Sequence, residues 1–255
     1  MNIKVWAHRG ASGYAPENTL ESFRLAEKMG ADGIELDVRL TKDDKMVINH
    51  DDAIHRVSNG NGYIKDYTLS ELKKFNFNRL HTEYEFTPIA TLEEVLEELK
   101  NTALSINIEI KGGIYINRNL EEQVLELVKE MKMEERILYS SFNHYSMLRI
   151  KELNTDAKIG LLYKDGFVDV PQYGKRIGVN ALHPTFKNLI YPNLVSDCKK
   201  LGLILNVWTV NSEKDIRYVC ECGVDGVITN YPDRARKIVD SYNTIDEKSG
   251  RNIKH

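Results

Sequence analysis

Three carboxylates in β-rich runs are the first sign of chemistry in this chain. In GIELDV, Glu35 and Asp37 alternate with Ile34, Leu36 and Val38. A strand therefore puts the acids on one face and the apolar residues on the other. Two carboxylates about 7 Å apart on one strand face repel unless positive charge lies between them. SINIEIKGG repeats the pattern, with Asn107, Glu109 and Lys111 sharing one face of the third strand. Three carboxylates on neighbouring strand ends make a hard oxygen site for Mg²⁺ or Ca²⁺, whereas zinc prefers nitrogen or sulfur. Lys111 is one cation against three anions, which favours a divalent metal ion.

Two of the seven histidines fall beside these strands. His8 ends IKVWAH and His50 ends MVINH. Next to a metal, the pair suits acid–base work near pH 7. His183 ends GVNALH and is expected to reach the same mouth. His55 and His81 read as structural or exposed, and His144 as a helix start. Arg9 and Lys111 add donors: the arginine fork suits phosphate oxygens and the lysine supplies a point charge. Metal, guanidinium, ammonium and two imidazoles around one mouth describe a site for phosphoryl chemistry. The chain has no P-loop, G-x-G-x-x-G, H-E-x-x-H or G-x-S-x-G.

These residues need a scaffold that gathers strand ends. Eight β-rich runs are read at 3–8, 32–38, 103–110, 136–141, 157–162, 178–183, 203–208 and 223–229. Amphipathic stretches separate them, with start signals at Thr91/Glu94 and Ser212/Asp215 and glycine stops at Gly30, Gly202 and Gly223. Pro16 is expected to open the first helix, whose apolar face carries Leu20, Phe23 and Ala26. This alternation in about 250 residues is that of a (β/α)8 TIM barrel, with a doubly wound open sheet as the alternative. The polar residues fall at C-terminal strand ends, where barrel sites form, and that favours the barrel. Residues 51–90 are too long for a βα loop and read as an insertion over the barrel mouth, with Tyr63, Tyr67, Phe75, Phe77, Tyr84 and Phe86 mostly forming its own small core. One domain is expected over 1–241, followed by a polar, frayed tail over 242–255.

Bulk properties narrow the classes. The formal net charge is -3, so nothing points to nucleic acid or an anionic membrane. No apolar run approaches the roughly 18 residues of a membrane span. The N-terminal residues read directly into a strand, without a leader pattern. Cys198, Cys220 and Cys222 form no disulfide framework, which suits a reducing compartment and a cytoplasmic protein. Cys220 and Cys222 point about 200° apart on a helix and read as ordinary thiols.

The ordered set HRGASGYAPENT, GIELDV, NHDD, IEIKGG, SSFN, NVWTVN and GVDGVITNYP resembles the glycerophosphodiester phosphodiesterases. The resemblance runs from about residue 5 to residue 240, and the insertion after His50 matches the one those barrels carry. It implies hydrolysis of glycerophosphodiesters to glycerol 3-phosphate and an alcohol with a divalent cation. Glu35, Asp37 and Glu109 would hold the metal, and His8 and His50 would form the acid–base pair. Arg9 and Lys111 would clamp the phosphate, Asn18 would hold the active-site loop or the ligand, and Trp208 would wall the glycerol. It further implies attack by the substrate's own hydroxyl and a cyclic phosphate that water opens. Alternatives are a lysophospholipase D-type activity on the same core, and a silent barrel that binds phosphodiesters or protein.

Overall fold

In the computed structural model, which describes residues 2–112 and 119–249, the eight expected strands close into a barrel. They are β1 (Lys4–His8), β2 (Gly33–Leu40), β4 (Ser105–Ile110), β5 (Ile137–Ser141), β6 (Ile159–Tyr163), β7 (Ala181–Pro184), β8 (Ile204–Val207) and β9 (Gly226–Thr229). Each pairs in parallel with its neighbours, and β1 pairs with both β2 and β9. This closure excludes the open sheet. A ninth strand, β3 (Met46–Ile48), folds back antiparallel on the extended end of β2.

Helices cover the outside: α1 (Leu20–Lys28), α3 (Leu92–Leu99), α4 (Leu120–Glu130), α5 (His144–Leu153), α6 (Val170–Arg176), α7 (Leu194–Leu201), α8 (Glu213–Cys222) and α9 (Pro232–Ser249). Ile34, Leu36 and Val38 pack outward into the same core as Val95, Leu96 and Leu99, all at most 1% exposed. Each such side chain contributes roughly 1.5–3 kcal/mol on burial. Thr91 and Glu94 form the expected capping box of α3.

Two expectations about helix ends need correction. Pro16 does not open α1: Thr19 caps it, exchanging hydrogen bonds with Ser22. Asn18 has φ +59, a left-handed turn that no right-handed helix can pass through. The region from 242 is not frayed throughout, because α9 runs on to Ser249. Tyr242 packs on the core and Asn243 Oδ1 accepts from Ile3 N at 3.1 Å. The rest of the expected tail, 250–255, lies outside the described residues.

The insertion does have its own core, but an aliphatic one. Val47, Ile54, Val57, Ile64, Leu72 and Ile89 surround Phe77, with Tyr67 and Phe75 at the edge. The short helix α2 (Leu69–Leu72) supplies Leu72. Tyr63 and Phe86 are 52% and 57% exposed. Branched aliphatic side chains fill the small space, and the remaining rings are left outside.

Candidate active site

Strand register assembles the carboxylates. His8 is opposite Glu35, and Asp37 is opposite Glu109. Oxygens of Glu35, Asp37 and Glu109 lie within 4.8 Å of one another, and all three residues are buried. Burial and mutual repulsion push the Glu35 carboxyl well above its ordinary value. Burial likewise pushes Glu109 up to about 7, with Lys111 opposing and Asp37 adding. Asp37 goes the other way: despite burial, Lys111 and Arg9 hold it well below the usual carboxylate range.

The cations stand among these acids. Lys111 Nζ lies 2.6 Å from Glu109 Oε1 and 3.0 Å from Asp37 Oδ1. Arg9 Nε lies 3.5 Å from Asp37 Oδ2, and its backbone N–H donates to Glu35 Oε2 at 3.0 Å. Two cations against three carboxylates leave one negative charge uncompensated. A divalent cation would turn that deficit into a single positive charge, matching a phosphodiester monoanion. Three converging oxygen donors in a buried mouth fit such an ion.

The two imidazoles are oriented alike. His8 Nδ1–H donates to Asn230 Oδ1 at 2.7 Å, so the unprotonated Nε2 faces Glu35 at 4.0 Å. Burial and the Arg9 charge lower its pKa to about 4, against the opposing Asn230 contact. His50 Nδ1–H donates to Asp51 Oδ1 at 2.7 Å, which likewise leaves Nε2 as acceptor. Burial lowers its pKa too, with Lys111 and Arg9 adding and Asp37 and Asp51 opposing. Arg39 Nε donates to the backbone oxygens of Asn49 and His50, both at 3.1 Å, fixing the end of β3.

The loop after β1 is bent to serve this arrangement. Arg9 has φ +56 and Gly10 has φ +78. A Cβ on Gly10 would fall 2.3 Å from Ser22 Oγ, so no larger residue fits beneath α1. Asn18 Nδ2 donates to Asp37 Oδ2 at 2.8 Å, and Asn18 is only 2% exposed.

On the far side, Trp208 follows β8, donates from Nε1 to His183 O at 2.7 Å, and meets Phe142 edge-on at 5.5 Å. His183 departs from expectation. Its ring is 0% exposed inside the barrel, between Gly160 and Asn206, and Nε2 accepts from Asn206 Nδ2 at 3.1 Å. Burial lowers its pKa to about 3, and no surface is left for substrate to touch. The inward alternation of β7 and the space that Gly160 of β6 leaves beside it explain this placement. Sequence reasoning gave no role to Glu17, Asp51, Arg56 or Asn230, although Glu17, Asp51 and Asn230 lie within the motifs HRGASGYAPENT, NHDD and GVDGVITNYP.

Residues 8–234 match the model of the glycerophosphoryl diester phosphodiesterase family. The chain belongs to that family. A relative from Caldanaerobacter subterraneus subsp. tengcongensis, named glycerophosphodiester phosphodiesterase, is 42% identical over 94% of this chain and 98% of its own. A second relative of that name, from Bacillus altitudinis, is 40% identical over 92% and 97%. Among solved structures, an Oleispira antarctica phosphodiesterase in complex with the product sn-glycerol-3-phosphate is 30% identical. It superposes with a TM-score of 0.88 over 93% of this chain and 96% of its own. The helices of the present chain include none long and apolar enough to cross a membrane among the described residues.

Proposed function

We propose that this family member hydrolyses glycerophosphodiesters to glycerol 3-phosphate and an alcohol, with a divalent cation, Mg²⁺ or Ca²⁺, at Glu35, Asp37 and Glu109. The observation that carries the reading is the convergence of two neutral imidazoles, each with Nε2 as acceptor, on a carboxylate cluster that Arg9 and Lys111 only partly neutralise. The cation would supply positive charge to the phosphoryl group as negative charge develops there. Arg9 and Lys111 hold phosphate oxygens and share that charge. One imidazole Nε2 takes the proton of the substrate hydroxyl next to the diester as it attacks phosphorus. The other imidazole, entering the step as imidazolium with a proton taken from solvent on Nε2, gives that proton to the departing alkoxide, and water then opens the cyclic phosphate by the same pair in reverse roles. Asn18 holds the Asp37 carboxylate, and Trp208 gives the glycerol an apolar wall. A cytoplasmic location suits the free cysteines Cys198, Cys220 and Cys222.

A second reading, lysophospholipase D-type activity, has its own support. Phe142, Phe167, Val168 and Ile190 are 48%, 59%, 90% and 74% exposed in loops that follow β5, β6 and β7, on the face that carries the site. One assay separates the two. Glycerol 3-phosphate release is measured from glycerophosphocholine, glycerophosphoethanolamine and glycerophosphoglycerol, and choline release from a lysophosphatidylcholine, each with and without metal. Metal-dependent glycerol 3-phosphate release is expected; its absence on all three diesters overturns the leading reading.

A further inference from the structure

Five side chains run from Arg9 to His50, the first four alternating in charge. Arg9 Nη1 donates to Glu17 Oε1 at 2.9 Å. Arg56, from the insertion, takes Glu17 with both of its Nη atoms, to Oε2 at 2.8 Å and to Oε1 at 2.7 Å. Its Nε donates to Asp51 Oδ2 at 2.5 Å, and Asp51 Oδ1 receives the Nδ1–H of His50 at 2.7 Å. All three nitrogens of one guanidinium are thus spent on two carboxylates. One stands behind the arginine that faces phosphate, the other behind the histidine that moves a proton.

We propose that Arg56 is a positioning residue of the reaction, setting both the aim of the Arg9 guanidinium and the direction in which His50 presents Nε2. The inference rests on the phosphodiesterase reading above. Glu17 is 11% exposed and is shared between two arginines. Without Arg56 it has Arg9 alone among its described partners, and draws that guanidinium away from Asp37 and from a bound phosphate. Asp51, 31% exposed, loses the donor that fixes its far oxygen, so it can rotate and release the His50 Nδ1–H. The tautomer and ring direction of His50 depend on that contact. A lysine cannot substitute fully, since a single ammonium has no fork to span two carboxylates.

Two roles of Arg56 give different signatures. A residue that merely pinned the insertion would, when lost, lower the folded fraction and so the apparent kcat, leaving KM unchanged. A residue that aims Arg9 and His50 changes KM through the first and kcat through the second. The test compares wild type, Arg56→Met, Arg56→Lys and the control Arg24→Met in steady-state kinetics on glycerophosphocholine with saturating divalent metal. Arg24 makes an exposed pair with Glu98 at 2.7 Å, and its variant keeps wild-type values. ¹⁵N-histidine NMR follows the His50 tautomer independently of turnover.

Arg56→Met is expected to lower kcat by about 10–100-fold, as loss of an outer partner does elsewhere. It should also raise KM several-fold and abolish the single Nδ1–H tautomer of His50. Arg56→Lys should restore kcat or KM, but not both. Wild-type kcat and KM in Arg56→Met, or a fall in kcat alone with the His50 tautomer intact, overturns the inference. A wild-type protein that releases no glycerol 3-phosphate while the His50 signal is normal condemns the phosphodiesterase reading, and this inference with it.

Discussion

Asn18 holds Asp37 from two directions, its Nδ2 donating to Oδ2 at 2.8 Å and its Oδ1 accepting from the Asp37 backbone at 3.4 Å. The contact joins the left-handed turn before α1 to the middle of the carboxylate cluster. Asparagine suits both duties, since it tolerates positive φ and offers donor and acceptor together.

Asn18→Ala should therefore weaken divalent-cation binding by about 10–100-fold, the usual cost of losing a group that orients a ligand. It should also cost about 1–3 kcal/mol of stability by leaving a buried acceptor unpaired. Isothermal calorimetry with Mg²⁺ and Ca²⁺ checks the first figure and urea unfolding the second. Unchanged affinity would separate Asn18 from the metal site.

His8→Ala and His50→Ala should each lower kcat by about 100-fold or more, which is what a general acid or base contributes. Rapid-quench or steady-state assays at saturating substrate read this directly. Near-normal turnover in either variant removes that ring from the mechanism.

Chelation should abolish activity, and Mg²⁺ or Ca²⁺ should restore it; chelator-resistant turnover would sink the metal site. A thermal melt adds an independent reading. Glu35 and Glu109 have folded-state pKa values above their ordinary ones, Glu109 at about 7. Carboxyls raised in this way give stability that is present below their unfolded values and lost as pH rises through the folded ones. The chelated protein should accordingly lose Tm progressively as pH rises from about 4.5, the ordinary glutamate value, to about 7, and divalent cation should reverse that loss by displacing the protons.

Cys220→Ser and Cys222→Ser should leave kcat and KM largely intact. Both sit at the end of α8, Cys220 is buried, and burial pushes its thiol up to about 11, far from a reactive thiolate. Cys220→Ser should cost about 1 kcal/mol or more in stability for an unpaired buried hydroxyl. A large loss of activity would mean that the C-x-C pair does more than fill space.

The legible part of this protein is whatever a single strand encodes by itself. Alternation alone put Glu35 and Asp37 opposite Ile34, Leu36 and Val38, and glycine stops and capping boxes marked the helix ends. Relations between distant strands left no such trace. That Asp37 stands level with Glu109 depends on the stagger of β2 against β4. That Asn230 meets His8 depends on closure of the whole ring. His183 misled because its place at a strand end says nothing about depth, which the Gly160 and Asn206 neighbours decide. Beyond residue 241 the sequence is polar enough to read as tail, and Tyr242 and Asn243, which anchor it, carry little periodic signal.

The His8–Asn230 hydrogen bond spans 222 positions of sequence, and β1 has β9 as one of its two neighbours. The first strand of the barrel thus waits for the last before its histidine ring is oriented. No partial product of translation, however well its helices form, carries a finished site. Closure of the barrel and completion of the His8 contact are therefore one structural event.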